Sequence, residues 1–492
     1  MTNKELSLML SSRKAVRIAR AVLAVALTAS ATVLAAAPMA SADEAFVPLG
    51  GAGSTWSEIA IEAWKENVAQ YALRVNYSGL GSTDGRNQYR NGTVDFAVSE
   101  IPYGLTDNGE VDAPPDRKYA YMPVVAGGTA FMYNLKINGT RVTNLRLSGE
   151  VVTKIFTSVI TKWNDPAILA DNPGLNLPER QIIPVVRSDG SGTTAQLTTW
   201  MADQYPGIWN DYCARAGRAT PCGLTSFFPV ASGTNTTALS GSAGVAGSVR
   251  ADSSEGAITY VEYAYALNAN FPVAKLLNQA GYYTEPTENS VAVALLAAKI
   301  NNDENSPAYL TQQLNGVYTA GDKRVYPLSS YSYMIIPTVA ERGFTTAKGY
   351  TLGEFAKYFL CEGQRQVPDL GYSPLPINLV EAGLEQVKRI PGVAAESIDI
   401  SKCNNPTFSS NGTNTLATNA PQPPDCDRKG PEQCTTGTGG NLAQTPKTDQ
   451  SVNDGDAPLE PGAGQSEAPP AGATGDPAAP AAGAAADPAE PA

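Results

Sequence analysis

Three short turns rich in glycine, serine and threonine stand directly before segments with helical periodicity. They are GAGSTW at 51–56, SGLGST at 78–83 and RSDGSGTT at 187–194. The first backbone N–H groups of a helix have no partner within it, and the helix dipole adds partial positive charge there. Glycine lets a ligand approach the backbone, and hydroxyl side chains add donors. Together the turns predict a site for a compact oxyanion, although helix capping alone explains any single one.

Three charged residues are candidates to complete this site. Arg187 opens the third turn and can bind an oxyanion through two N–H groups, with Asp189 holding the guanidinium in place. Glu100 follows a strand candidate at 95–99. Its carboxylate can accept a hydrogen bond from an anion that carries a proton, as phosphate does near neutral pH and sulfate does not. The alternatives are a surface ion pair for Arg187 and Asp189 and a solvated loop acid for Glu100.

The composition excludes most catalytic and metal-binding classes. The 492 residues include no histidine, which rules out Ser-His-Asp triads, Cys-His pairs and histidine-ligated zinc. The turns match neither the P-loop nor the full dinucleotide-binding pattern. A net charge of -12 without a basic run argues against nucleic-acid binding. We expect no catalytic residue, metal or cofactor; a phosphatase-like hydrolase is the enzyme alternative, but Ser191 has no evident base.

The N-terminus indicates an exported protein. Residues 1–42 have a basic start, an apolar run at 21–37 and the sequence Ala-Ser-Ala at 40–42, which predicts a signal peptide cleaved after Ala42. An uncleaved membrane anchor is the alternative. No cysteine stands directly after the apolar run, so a lipoprotein is not expected. The chain should therefore be secreted or held at the cell surface.

The six cysteines form an even set, which in an exported chain predicts disulfides. A zinc site is the alternative, and six cysteines allow 15 pairings. The short spacings favour two local pairs and leave a third: Cys213–Cys222, Cys426–Cys434 and Cys361–Cys403.

Strand and helix candidates alternate through the body, which predicts an α/β architecture. From residue 404 the apolar pattern is lost, and 461–492 consist mostly of alanine, proline and glycine. Such a segment buries too little apolar surface to offset the entropy of ordering, so we predict a disordered tail at 404–492. Strands are expected at 74–78, 95–99, 182–187 and 257–260, and helices at 57–72, 84–90, 193–205 and 290–301.

The chain resembles the phosphate-binding proteins of Pst-type ABC transporters over residues 48–390. The motifs are GAGSTW (51–56), NYSGLGS (76–82), VDFAVSEIP (94–102), VVRSDGSGTT (185–194), EGAITYVEYAYA (255–266), YPLSSYSYMII (326–336) and LGYSPLPINLV (370–380). The resemblance implies the two-lobed periplasmic-binding-protein fold, with hinge strands and an anion in the central cleft. The hinges would lie near 123–129 and 325–330. Lobe I would comprise 43–126 with 328–403, and lobe II 127–327.

The resemblance also implies which residues bind phosphate. Two positions depart from the residues usual in the family, since Glu100 replaces an aspartate and Trp56 a phenylalanine. Asp189 would orient the arginine. The implied set is Thr55, Trp56, Ser82, Glu100, Arg187, Asp189, Ser191, Gly192 and Thr193.

The implied function is that of a monomeric extracytoplasmic receptor that captures inorganic phosphate and delivers it to an ABC permease in the membrane. No cofactor and no nucleic acid take part. The alternative is a surface adhesion, sensing or structural protein on the same fold without a transport role, which the long tail motivates.

Overall fold

The computed structural model describes residues 46–108, 110–306, 308–394, 400–409, 413–441 and 443–445. The predicted signal peptide at 1–42 and the tail from 446 onward lie outside this range. Within it, we find no helix with the length and apolar character needed to cross a bilayer.

The described residues form the following strands and helices. The strands are β1 (Leu49–Gly53), β2 (Val75–Gly79), β3 (Phe96–Ser99), β4 (Thr106–Asp107), β5 (Glu110–Val111), β6 (Tyr119–Tyr133), β7 (Lys136–Ile137), β8 (Thr140–Arg141), β9 (Arg146–Leu147), β10 (Ile183–Arg187), β11 (Thr237–Leu239), β12 (Ala257–Glu262), β13 (Val273–Leu277), β14 (Tyr283–Thr284), β15 (Lys299–Ile300), β16 (Gln312–Gln313) and β17 (Ser329–Pro337). The α-helices are α1 (Glu58–Ala69), α2 (Ser82–Asn91), α3 (Gly149–Phe156), α4 (Pro166–Asp171), α5 (Gly192–Gln204), α6 (Pro206–Arg215), α7 (Ser242–Arg250), α8 (Tyr263–Asn268), α9 (Glu288–Leu295), α10 (Asn315–Tyr318), α11 (Thr346–Leu360), α12 (Val367–Leu370), α13 (Ile377–Val387) and α14 (Thr415–Asn419). Short 3-10 helices lie at Asp252–Ser254, Glu362–Arg365, Ile400–Lys402 and Asp425–Asp427.

One sheet of 11 strands connects two sets of parallel strands. Its main path runs β11-β10-β12-β6-β17-β3-β1-β2. β1 pairs in parallel with β2 and β3, and β10 with β11 and β12. Between the two sets, β6 and β17 run antiparallel to each other along the whole of β17. This mixed α/β architecture is the fold class that the sequence predicted.

The two long strands join separate apolar cores. Residues of β6 up to Ala126 pack in a cluster with β1 to β3 and β17, whereas Ala130 and Phe131 belong to other clusters. Almost every residue of β6 and β17 is buried, and the helices α8, α9 and α13 pack against β6. The parallel sets on either side are therefore linked by a continuous, buried pair of strands.

The predicted elements agree with the observed ones in type, with one exception. The helix predicted at 290–301 ends at Leu295, and Lys299–Ile300 form β15 instead. β15 pairs with β16 from a later segment, and such long-range pairing leaves no trace in local periodicity. The three predicted disulfides, Cys213–Cys222, Cys361–Cys403 and Cys426–Cys434, are present.

The predicted disorder from 404 onward is corrected for the part of the tail that the structure describes. Ala417 and Ala420 pack in the core cluster that also contains Phe131. Further along, Lys275 Nζ lies 2.6 Å from Asp427 Oδ2, with both side chains largely buried. The segment is ordered by polar contacts and a disulfide, so the loss of apolar periodicity did not reveal its packing.

Candidate anion-binding site

The three glycine-serine turns meet beyond the carboxyl ends of β1, β2 and β10, where the chain turns into α1, α2 and α5. The N–H groups of Leu80 and Gly81 donate to Gly53 O at 3.0 and 2.9 Å, which joins the second turn to the first. The N–H of Thr83 donates to Gly190 O at 3.0 Å, which joins the second turn to the third. The structure thus brings three helix starts into one region.

Glycine is needed where the second turn passes the third. Gly81 precedes α2 with a φ of 99°, in the left-handed region that other residues disfavour. A Cβ at this position would lie 2.7 Å from Asp189 Oδ2 and 2.9 Å from Gly190 O. The missing side chain therefore lets the two turns approach each other.

The predicted site residues are shielded from solvent. A buried group of hydroxyls and backbone donors is costly unless each finds an acceptor, so such a group favours a specific polar ligand. Asp189 is half-buried at the edge of the group. The fully buried members are Thr55, Trp56, Ser82, Glu100, Arg187, Ser191, Gly192 and Thr193.

Arg187 is held by Asp189 and is not a surface ion pair. Its Nε donates to Asp189 Oδ1 at 2.7 Å, and its Nη2 contacts Oδ2. The N–H of Gly241 also donates to Asp189 Oδ1, at 3.0 Å. Burial alone would raise the pKa of Asp189, but the hydrogen bonds and charge of Arg187 outweigh it and lower that pKa below its usual value. The carboxylate therefore stays ionised and fixes the guanidinium plane.

Glu100 lies at the centre of the turns and is not a solvated loop acid. Its Oε2 accepts hydrogen bonds from the hydroxyls of Ser54 and Ser82, both at 2.8 Å, and its Oε1 accepts one from Ser332. Burial raises the pKa of Glu100, although these three hydrogen bonds act in the opposite direction. The backbone is fixed too, because Gln196 Nε2 donates to Glu100 O at 3.1 Å.

The start of α5 faces this carboxyl group directly. Ser191 caps the helix, its Oγ accepting from the N–H of Thr194 at 3.2 Å. The N–H of Gly192 donates to Ser82 Oγ at 3.2 Å. Within the described part of the chain, the buried Oγ1 of Thr193 has no hydrogen-bond partner. This hydroxyl is therefore available to a ligand at the helix start.

Like Ser82 and Gly192, the predicted ligands Thr55 and Trp56 already form hydrogen bonds within the protein. Thr55 Oγ1 lies 2.8 Å from Ser242 Oγ, and the N–H of Trp56 donates to Ser54 Oγ at 3.0 Å. The Trp56 ring packs edge-on against Tyr372, with 5.7 Å between the ring centroids. The backbone N–H of Trp56 is thus not directed to a ligand in this structure. The Thr55 hydroxyl shares a hydrogen bond with the Ser242 hydroxyl.

Several residues that the sequence did not indicate bond to the predicted set through their side chains, among them Ser54, Gln196, Ser242 and Ser332. Ser54 lies inside the first turn, and Ser332 lies in β17 within the motif YPLSSYSYMII. Ser242 follows Gly241 at the start of α7, so the glycine-serine pattern of the other turns was the signal that could have identified it. Gln196 carried no such signal, since only the fold places it beside Glu100.

The arrangement suits a protonated oxyanion better than a metal ion. The charge of Arg187 is matched by Asp189, so the remaining donors are neutral hydroxyl and N–H groups. Across the residues that the structure describes, no cluster of three or more Asp, Glu or Cys side chains is placed to hold a metal. Hydrogen bonding, with Glu100 as the acceptor, is the chemistry that this site offers.

Comparison with known proteins agrees with this chemistry. Residues 29–362 match the model of the PBP superfamily domain. The phosphate-binding protein PstS of Haemophilus influenzae is 30% identical over 315 residues, which cover 64% of this chain and 84% of that protein. PstS of Pasteurella multocida is 30% identical over 333 residues, which cover 67% and 87%.

Solved structures show the same fold. A phosphate-binding protein from Stenotrophomonas maltophilia superposes with a TM-score of 0.51 and 19% identity, covering 68% of this chain and 92% of the other. A high-affinity periplasmic phosphate-binding protein, PfluDING, solved with bound phosphate, gives a TM-score of 0.51 and 18% identity, covering 77% and 100%.

Proposed function

Because this chain belongs to the PBP superfamily and, within it, to the PstS phosphate-binding proteins, we propose that it is an extracytoplasmic receptor that captures inorganic phosphate for an ABC transporter. The observation that carries the proposal is the buried Thr193 hydroxyl, which has no partner among the described residues and lies one residue after Gly192, where α5 comes closest to Glu100. A compact anion supplies the acceptor that this donor needs.

Phosphate is held by hydroxyl and N–H groups around a single carboxyl group. Ser191 and Thr193 supply hydroxyl donors at the start of α5, Ser82 supplies its backbone N–H at the start of α2, and Arg187 supplies the charge-assisted contact. Gly192 donates to phosphate by giving up the bond from its N–H to Ser82 Oγ. Thr55 contributes through the pair that it forms with Ser242. Asp189 orients the arginine.

Glu100 accepts the proton that phosphate carries. An ionised carboxylate has about four acceptor positions, and three serine hydroxyls occupy Glu100 here, which leaves one for the ligand. Sulfate has no proton to donate at neutral pH, so it leaves this acceptor facing a second anion. The buried ring of Trp56 forms part of the wall of the site, and its backbone N–H is not a ligand because it donates to Ser54 Oγ.

The protein works by closing two lobes on the ligand. Lobe I is formed by 43–126 with 328–403 and lobe II by 127–327, and β6 and β17 act as the hinge. The change of core cluster between Ala126 and Ala130 supports this division. With this division the bond from the Thr83 N–H to Gly190 O would join the two lobes, and it would break when the lobes open to release phosphate.

The receptor acts outside the cytoplasm as a monomer and is not an enzyme. Its export would rest on the signal peptide at 1–42, with cleavage after Ala42. It passes phosphate to a permease complex in the membrane.

Removal of one donor tests the proposal. We expect the wild-type chain, stripped of endogenous anion, to bind phosphate at one site in calorimetry. Thr193→Val should weaken binding by about tenfold or more, because it deletes a buried hydroxyl that has no other partner among the described residues. Thr199→Val on the same helix is the matched control, since the Thr199 hydroxyl donates to Ala195 O at 2.7 Å and should leave the affinity unchanged. Equal affinity of the two variants would contradict this site.

A further inference from the structure

Ser242 contacts two residues of the site although no motif singled it out. It is the first residue of α7 and is fully buried. Its Oγ accepts a hydrogen bond from Arg187 Nη1 at 3.1 Å and lies 2.8 Å from Thr55 Oγ1. The preceding residue is fixed as well, because the N–H of Gly241 donates to Asp189 Oδ1. Asp189, Arg187, Ser242 and Thr55 therefore form one continuous chain of hydrogen bonds.

The direction of these bonds is constrained by the number of protons. A guanidinium group can only donate, so Ser242 Oγ is the acceptor in its bond with Arg187. Ser242 and Thr55 together carry two hydroxyl protons, and the single bond between them uses one. One proton of the pair is then left for a further acceptor, whichever hydroxyl donates to the other.

The Arg187 bond favours one of the two directions. A hydroxyl that accepts from a cation becomes a better donor, because consecutive hydrogen bonds polarise one another. Ser242 thus donates to Thr55 Oγ1, which leaves the Thr55 proton free. The Thr55 carbonyl is fixed by the Tyr265 hydroxyl at 2.6 Å, so the backbone of this residue is held while its hydroxyl turns.

We propose that Ser242 is a positioning residue for phosphate, which transmits the charge of Arg187 to Thr55 and directs the Thr55 proton toward the anion. This inference rests on the function proposed above. It assigns to Ser242 a role through another residue and requires no direct contact with the ligand.

The chain of bonds also spans the cleft. Thr55 precedes Trp56, which packs in the cluster of β1 to β3, whereas Val186, before Arg187, packs in the cluster that contains Phe131. The Ser242–Thr55 bond therefore forms only when the two sides meet. Loss of Ser242 should consequently raise the rate of phosphate dissociation more than it lowers the rate of association.

Three single variants of the full mature chain test the proposal. Ser242→Ala should weaken phosphate binding by about tenfold, with most of the change in dissociation measured by stopped-flow. Ser242→Thr keeps the hydroxyl and should restore most of the affinity. Ser248→Ala, a half-buried serine later in α7, is the matched control and should bind like the wild type. Melting curves without anion separate a binding loss from misfolding.

A double-mutant cycle distinguishes positioning from a structural effect. If Ser242 acts through Thr55, then Ser242→Ala should cost little further affinity in a Thr55→Val background, whereas its effect should add to that of Thr193→Val. Unchanged affinity of Ser242→Ala, or full additivity with Thr55→Val, would overturn the inference while the wild type still binds phosphate. A wild type that does not bind phosphate would instead reject the proposed function, and with it this role.

Discussion

Two carboxyl groups, Glu100 and Glu262, are fully buried next to the proposed cleft, but they are satisfied to different degrees. Glu100 accepts three serine hydroxyls, whereas Glu262 accepts the N–H of Ala264 through Oε2 at 2.6 Å. In the described part of the chain, Glu262 Oε1 has no partner. Burial raises the pKa of Glu262 well above its usual value, and the nearby charge of Glu100 acts in the same direction.

The protonation of the Glu262 carboxyl group should make the stability of the fold depend on pH. Because folding raises its pKa, its contribution to stability is fully present below the unfolded pKa and is lost as the pH rises through the folded pKa. Glu262→Gln removes this loss while keeping an acceptor for the N–H of Ala264. We therefore expect the melting temperature of the variant to increase relative to that of the wild type as the pH rises from about 5 to about 8.

The matched control for this experiment is Glu381→Gln, because Glu381 is exposed. Its melting temperature should follow that of the wild type across the same pH series. A constant offset between Glu262→Gln and the wild type at every pH would show that Glu262 does not titrate differently on folding.

Among the secondary-structure elements, the start of α5 makes the tightest approach to another part of the site. A Cβ at Gly192 would lie 1.7 Å from Glu100 Oε2 and 2.6 Å from Ser82 Oγ. Gly192→Ala must therefore displace the carboxyl group or the helix. We expect phosphate affinity to fall by more than about a hundredfold, a loss of about 3 kcal/mol of binding free energy.

Gly247→Ala provides the matched control in α7, because no atom lies within 4 Å of a Cβ built there. It should leave phosphate affinity unchanged and stabilise the fold by about 0.5–1 kcal/mol, as alanine does in helices. The two variants are compared by calorimetry and by thermal melting. Similar affinities would mean that α5 does not need its close approach to Glu100.

Local patterns were sufficient to predict several of the elements that carry the site. The helices α1 and α5 and the strand β10 follow from apolar periodicity and from the glycine-serine turns that bound them. The strand β1 before α1 was not predicted, because its sequence, LGGAG, has almost no apolar side chains to show a pattern. The hairpin of β15 and β16 could not be predicted in this way, since its pairing depends on residues far apart in the chain. For the same reason Gln196 and Ser332 could not be assigned to Glu100, because their contacts depend on how distant elements pack.

The described part of the C-terminal segment contacts two apolar cores of the molecule. Cys403 packs in the cluster of β1 to β3, and Ala417 and Ala420 pack in the cluster that contains Phe131. Farther along, Arg146 Nη1 donates to the carbonyls of Cys426 and Glu432 at 3.1 and 2.9 Å. Composition alone suggested a tail here, whereas the position of a disulfide inside it was the sign of order.

The buried ion pair between Lys275 and Asp427 should hold this segment on the body. Asp427→Asn leaves the Lys275 charge without its partner, and breaking a buried pair in this way typically costs about 3–5 kcal/mol. We expect a loss of unfolding free energy in that range by chemical denaturation. Asp425→Asn, at an exposed position in the same short helix, should change it little. Equal stabilities of the two variants would contradict the packing of this segment.

The proposed function requires that the protein capture phosphate in preference to other tetrahedral anions. The most direct measurement is calorimetric titration of the mature chain from residue 43, stripped of endogenous anion, first with phosphate and then with sulfate. We predict saturable phosphate binding at a single site and no detectable binding of sulfate, since Glu100 offers an acceptor that only a protonated anion can use. Absence of heat with phosphate, together with an unchanged melting temperature, would contradict the account.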